Sequence, residues 1–220
     1  MKKMTCVFSL FFAVWLCHAA SNDTPVISMR VQFFSLSGDV SGGVFWKPDR
    51  DWVEVELPDS YLKDPVTYRG PNPIRFYRKL IEEGQETYEV LSECLVPEKT
   101  GALIVLFQHA EETLTVTPVV LGDALPAGAY ILLNRLPVAL EVSLDGVALR
   151  IEADTRLFHV PENPERRAIP VSWKAAALSD PPARPTQTSW FYHHAHWHLV
   201  VFEPEGEGIN VRSVTRFPDP

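Results

Sequence analysis

Apolar and polar residues alternate with a period of two through most of the chain after residue 25, the pattern of half-buried β-strands. In residues 52–58, Val53, Val55 and Leu57 share one predicted face while glutamates occupy the other. Residues 140–151 alternate on both sides of an Asp-Gly pair, which predicts a hairpin with a tight turn. Further predicted strands cover residues 27–36, 73–79, 87–96, 102–109, 113–121, 128–134, 168–176, 186–192, 197–203 and 208–216.

Helix patterns are weak by comparison. The best candidate, residues 78–90, is interrupted by Gly84 and ends in residues that favour an extended backbone. The chain also contains 19 prolines, which suit strand ends and loops better than helix interiors. Many short strands with frequent turns are typical of β-sandwiches and Greek-key barrels, so the sequence predicts an all-β fold.

An internal repeat divides this pattern into two units. Residues 103–119 resemble residues 198–214 at an offset of 95, and a chance likeness between amphipathic hairpins is the alternative explanation. The offset aligns Phe107 with Phe202, Leu114 with Ile209, Val116 with Val211 and Val119 with Val214. A repeat of this length predicts two tandem Ig-like or Greek-key β-sandwich domains, covering residues 25–122 and 123–220.

The first 20 residues have the composition of a secretory signal peptide. Lys2 and Lys3 precede an apolar run at residues 7–16, and the small residues Ala19 and Ala20 close the segment. The apolar run is shorter than the roughly 20 residues of a membrane-spanning helix, and no later run reaches that length. The sequence therefore predicts cleavage near residue 20 and a secreted or periplasmic protein, with lipid anchoring at Cys17 as the less favoured alternative.

The cysteine count and the net charge limit the disulfides and the kinds of partner that the chain can have. Two of the three cysteines lie in the predicted signal peptide, so Cys94 has no partner for an internal disulfide and is predicted to be a buried thiol. Removing residues 1–20 deletes two of the 20 basic residues and none of the 28 acidic ones, which changes the formal net charge from −8 to −10. Such acidity argues against nucleic acid or an anionic membrane as a partner.

No catalytic residue is predicted. The chain lacks a G-x-S-x-G elbow, an H-E-x-x-H motif, a glycine-rich phosphate loop and paired C-x-x-C motifs. Its loop carboxylates are better explained as solvated charges.

Residues 190–200, WFYHHAHWHLV, are the one stretch with candidate metal ligands. On a continuous strand, His194, His196 and His198 would share a face and could bind Cu²⁺ or Zn²⁺, while His193 would point the other way. The repeat favours a different interpretation, in which residues 190–192 and 197–202 are the arms of a hairpin and the histidines form its turn. No other cofactor is predicted.

Aromatic residues provide a second hypothesis, a sugar-stacking surface. The candidates are Trp46, Trp52, Trp173, Trp190, Trp197, Tyr61, Tyr68 and Tyr77. The competing explanation is that tryptophans in strands fill the core. Trp190 and Trp197 could also pair across the predicted hairpin.

Three segments, residues 68–77, 126–146 and 198–214, resemble a family of uncharacterised secreted proteins from Verrucomicrobia-type bacteria. The resemblance rests on turn glycines, prolines and alternating apolar residues, and it implies export and a tandem β architecture but no activity. The sequence thus predicts a non-catalytic binding or assembly module of the cell envelope, with a protein or glycan partner. Metal binding, and carbohydrate binding or hydrolysis, are the alternatives.

Overall fold

The computed structural model describes residues 26–37, 43–110, 113–121, 126–162, 167–175, 185–206 and 208–216. The predicted signal peptide, with Cys6 and Cys17, lies outside these residues. Within them every regular element is a β-strand, which confirms the predicted all-β fold class. No helix in these ranges is long and apolar enough to cross a membrane.

The first eight strands form two four-stranded sheets. They are β1 (Val26–Ser35), β2 (Val44–Trp46), β3 (Val53–Val55), β4 (Val66–Pro71), β5 (Ile74–Glu82), β6 (Gln85–Cys94), β7 (Ala102–Ala110) and β8 (Thr113–Val120). The strand orders are β4-β1-β7-β8 and β3-β2-β5-β6. Neighbouring strands are antiparallel except β1 and β7, which run parallel.

The last eight strands repeat this arrangement. They are β9 (Tyr130–Asn134), β10 (Leu140–Leu144), β11 (Val147–Ile151), β12 (Arg156–His159), β13 (Ala168–Ala175), β14 (Thr186–Phe191), β15 (Trp197–Glu205) and β16 (Gly208–Arg216). The orders β12-β9-β15-β16 and β11-β10-β13-β14 match those of the first eight strands, each strand number being raised by eight. The pair β9 and β15 is again parallel.

The strand registers show the same repeat at residue level. Phe107 faces Val116 across β7 and β8, and Phe202 faces Val211 across β15 and β16, as the offset of 95 requires. The chain therefore contains two sandwich units of one topology. The predicted division between residues 122 and 123 lies outside the described residues.

Each unit has its own aromatic core between its two sheets. In the first unit, Phe33 meets Trp46 edge to face with ring centroids 4.8 Å apart, and Phe76 and Phe107 meet in the same way at 4.9 Å. In the second unit, Trp173 and Trp190 both pack against Phe202. Burial of these large side chains is the main stabilising contribution within each sandwich.

A third apolar layer joins the two units. Sheets β4-β1-β7-β8 and β12-β9-β15-β16 turn their outer faces to each other and bury a common cluster: Phe34, Leu36, Ile104, Leu106, Val119, Ile131, Leu133, Leu199, Val201 and Val214. Arg135 Nη1 also donates a 2.7 Å hydrogen bond to Thr117 Oγ1 across the layer. The four sheets consequently form one stack, in which β1, β7, β9 and β15 bury apolar residues on both faces.

Two tight turns have the same backbone geometry, and the first of them was predicted. Asp145 and Gly146 both have positive φ, at 53° and 83°, and connect β10 to β11 as the Asp-Gly pair predicted. Glu83 and Gly84, at 52° and 80°, connect β5 to β6 in the same way. Gly84 therefore closes a hairpin.

Two sequence predictions were wrong. Residues 190–202 do not form a hairpin, because β14 pairs with β13 while β15 pairs with β9 and β16 in the other sheet. Trp190 and Trp197 thus cannot pair across it: Trp190 packs in the second core and Trp197 against the layer between the units. The predicted strand at residues 52–58 is also shorter, since β3 covers only Val53–Val55.

Candidate functional site

The histidine-rich segment forms a turn that carries the chain from one sheet of the second unit to the other. The N–H of His196 donates to the carbonyl of His193 at 3.0 Å, and the N–H of Gly128 donates to the carbonyl of His196 at 2.9 Å. These bonds confirm that residues 193–196 are a turn and hold it against the segment before β9.

Three imidazole rings stack on this turn. The ring centroid of His193 lies 4.9 Å from that of His194 and 4.2 Å from that of His196, with the planes within about 20°. His193 Nδ1 accepts the N–H of Ala195 at 3.2 Å. Sequence reasoning placed His193 on the opposite face, because that argument assumed a continuous strand. The turn brings the His193 ring against the rings of His194 and His196.

His198, the third predicted ligand, lies apart from these rings in the second core. Only 4% of it is exposed. Its ring stacks on Tyr130 with centroids 4.6 Å apart, and its Nδ1 shares a 2.9 Å hydrogen bond with Thr215 Oγ1. Burial lowers the pKa of His198 to about 4, and the charges of His196 and His193 act in the same direction. His198 is therefore neutral at pH 7 and serves the core.

The predicted ligands His194, His196 and His198 are thus split between a surface turn and the core. Among the described residues, no group of three His, Cys, Asp or Glu side chains is arranged to hold a metal ion. Stacked parallel rings also differ from the convergent ligands of a tetrahedral site. Metal binding by this segment stays a prediction, for which calorimetric titration with Cu²⁺ and Zn²⁺, before and after His194→Ala and His196→Ala, is the test.

Cys94 lies at the end of β6 and is buried in the first core, which confirms the predicted buried thiol. Burial raises the pKa of the thiol to about 12. The thiolate is the reactive form of cysteine, so this residue acts as a small apolar side chain.

The structure divides the eight candidate sugar-stacking residues by location. Five serve packing: Trp46, Tyr68, Trp173, Trp190 and Trp197. Tyr61 is exposed in the segment after β3. Trp52 and Tyr77 remain on the surface and lie together.

Trp52 and Tyr77 belong to a cluster on the outer face of sheet β3-β2-β5-β6. This aromatic patch consists of Phe45, Trp52, Tyr77 and Tyr88. Trp52 lies flat on Tyr88, with centroids 3.9 Å apart and an interplanar angle of 6°, and meets Tyr77 edge to face at 4.7 Å. Phe45 completes the patch through a 5.8 Å contact with Tyr88.

Strand alternation explains why these side chains stay at the surface. Phe45 follows the core residue Val44 and precedes the core residue Trp46, so it must point outward. Tyr77 follows the core residue Phe76 and points outward for the same reason, while a β-bulge opposite Phe76 and Tyr77 shifts the register of β6 and places Tyr88 on the same outer face. Sequence reasoning missed Phe45 and Tyr88, although the alternation around Trp46 indicated the direction of Phe45.

Polar groups surround the aromatic patch. Lys47 Nζ lies 5.6 Å from the centroid of the Trp52 ring, and Lys79 pairs with Glu86 farther along the sheet. Trp52 itself is 37% exposed. A rigid aromatic surface with hydrogen-bonding groups at its border fits a partly apolar, partly hydroxylated ligand.

Two open grooves carry carboxylates and bear on the hydrolase alternative. One, of about 460 Å³, is lined by Glu54 and Glu56. Both carboxylates are exposed, and Glu56 pairs with Lys63. The other, of about 410 Å³, includes Glu141, whose pKa is lowered by a hydrogen bond from Lys174. A general acid needs the opposite, a protonated and desolvated carboxyl.

No protein-family model and no curated protein sequence matches this chain. Its functional assignment therefore depends on its own residues.

Proposed function

We propose that this chain is an exported, non-catalytic binding module of the cell envelope that uses the aromatic patch to bind the sugar rings of a glycan. The observation that supports the proposal is the flat stacking of Trp52 on Tyr88 at the surface, away from both cores. Export rests on the signal-peptide composition of residues 1–20.

The geometry of the patch favours a sugar over a more compact ligand. A pyranose presents an apolar face of C–H groups and a rim of hydroxyls. The indole of Trp52 can contact the face, while Lys47, whose Nζ lies 5.6 Å from the centroid of that ring, can donate a hydrogen bond to the rim. The contacts among Trp52, Tyr77 and Tyr88 fix the rings before the ligand arrives, which lowers the entropy cost of binding.

We expect Trp52→Ala to weaken glycan binding about tenfold or more, since an aromatic stacking contact contributes about 1.5 kcal/mol. The probes are hexasaccharides of β-1,4-linked glucose and of β-1,4-linked N-acetylglucosamine, which form flat chains. Tryptophan fluorescence and calorimetry report binding by the purified protein.

The matched control is Tyr61→Ala, which removes an exposed aromatic side chain outside the patch and should leave binding unchanged. If neither hexasaccharide binds saturably, or if Trp52→Ala and Tyr61→Ala weaken binding equally, the patch is not a glycan site. Release of reducing sugar during long incubation would contradict the non-catalytic assignment.

A further inference from the structure

The edge strand β14 lacks the features that protect the other sheet edges. Each of the four sheets has two edge strands, and every one except β14 carries a charge or a proline: Glu54 in β3, Arg69 in β4, Glu89 in β6, Pro118 in β8, Arg150 in β11, Arg156 in β12 and Arg212 in β16. The sequence of β14 is Thr-Gln-Thr-Ser-Trp-Phe, and five of its six residues are exposed. Natural proteins commonly use charges and prolines at edges to prevent pairing with another strand.

The backbone of β14 directs hydrogen-bonding groups outward. Ser189 lies opposite Pro170 of β13, which has no N–H and whose carbonyl accepts from the N–H of Asp145 at 3.1 Å. The N–H and C=O of Ser189 therefore point away from β13. Because these directions alternate along an antiparallel strand, those of Gln187 and Phe191 also point outward.

Two hydrogen bonds near the end of β14 involve these backbone groups. The first agrees with the outward directions, and the second occupies one of the outward carbonyls. The N–H of Tyr192 donates to the carbonyl of Arg167 at 2.8 Å, so the backbone turns toward β13 one residue after Phe191. The outward carbonyl of Phe191 accepts the hydroxyl of Tyr130 at 2.8 Å. A carbonyl has two lone pairs and can accept a second hydrogen bond.

We propose that β14 is a self-association site, at which β14 of a second copy of this chain pairs with it in antiparallel orientation around Ser189. The sequence of β14 is compatible with a two-fold axis that passes through Ser189. Ser189 faces its own counterpart, and Gln187 faces Phe191, so no like charges meet. Sheet β11-β10-β13-β14 then continues into the same sheet of the second copy, as eight strands.

Self-pairing also covers apolar surface. Phe191 is 60% exposed and stands on the outer face of its sheet, where Gln187 of a second copy would cover it. The aromatic patch lies in the other unit and stays accessible, so the dimer presents two glycan-binding surfaces. The inference does not depend on the proposed glycan function.

Sedimentation equilibrium of the purified protein over a wide concentration range tests the pairing. We expect a reversible monomer–dimer equilibrium for the wild type. Ser189→Pro removes only an outward N–H, and proline is tolerated at such positions of edge strands. The substitution should raise the dimer dissociation constant about tenfold or more. Ser189→Lys places two ammonium groups at the axis and should weaken the dimer in a manner that added salt partly reverses.

Ser143→Lys is the matched control. It makes the same change on β10 of the same sheet, where both neighbours β11 and β13 are already paired, and should leave the equilibrium unchanged. A wild type that is monomeric at all concentrations overturns the proposal, as does a dimer that survives both Ser189 variants. If circular dichroism shows that Ser189→Pro is unfolded, Ser189→Lys and its salt dependence decide the question.

Discussion

Replacing Asn134 with alanine is expected to lower the free energy of unfolding by about 3–5 kcal/mol. Asn134 is fully buried at the end of β9. Its Nδ2 lies 2.9–3.1 Å from the carbonyl oxygens of Val138, Ile151 and Glu152, which share its two N–H groups, and its Oδ1 accepts the N–H of Leu136 at 3.0 Å. Alanine leaves four backbone groups without this partner, and each buried one costs about 1–3 kcal/mol.

Urea unfolding measures this loss, because the midpoint falls while the slope stays constant in a two-state transition. Asn210→Ala is the matched control: Asn210 is half-buried on β16, and its replacement should cost about 0.5 kcal/mol or less. Equal losses at the two sites would show that Asn134 does not connect β9 to the chain around β11.

Lowering the pH from about 6.5 to about 4 is expected to remove about 3 kcal/mol of stability through His198. Its pKa is about 4 in the folded protein and 6.5 in an unfolded chain, so the unfolded state binds the proton first as the pH falls. The contribution is therefore present above pH 6.5 and is lost toward pH 4. The protonated ring would carry its charge beside Tyr130, Tyr192 and Thr215, none of which is a counter-ion.

The comparison between His198→Phe and the wild type isolates this effect, because other titrating groups, including the buried Glu203, are common to both proteins. Phenylalanine keeps a ring on Tyr130 and does not titrate, so the unfolding free energy of the His198→Phe protein should fall less than that of the wild type over the same pH range. A His198→Phe protein with the wild-type slope would contradict the assigned pKa.

Local alternation predicted most of the strands, and the repeat predicted a similar hairpin in each unit. These hairpins, which contain the Phe107–Val116 and Phe202–Val211 pairs, were readable because apolar residues recur at a fixed offset. The turn at Asp145 and Gly146 was readable because both residues tolerate positive φ. Each hairpin and its turn is formed by residues that are close together in the chain.

The missed features depend on contacts that are distant in the chain. Strands β4 and β12 lie in segments rich in polar residues and are defined by pairing with β1 and β9. The short separation of β14 and β15 suggested a hairpin, yet the core positions of Trp190 and Trp197 lie in different layers. The removal of His198 from the predicted ligand set has the same cause, because only the folded chain places Tyr130 against its ring.

The layer between the two units uses equivalent positions from both. Leu106 and Val201 occupy it at the offset of 95, as do Val119 and Val214. The two halves thus meet through the same surface, as the subunits of a symmetric homodimer would. Covalent linkage gives each half a fixed effective concentration of the other, so the closure of this layer does not depend on how much protein is present. Dilution can therefore separate one molecule from another without separating the two halves of either.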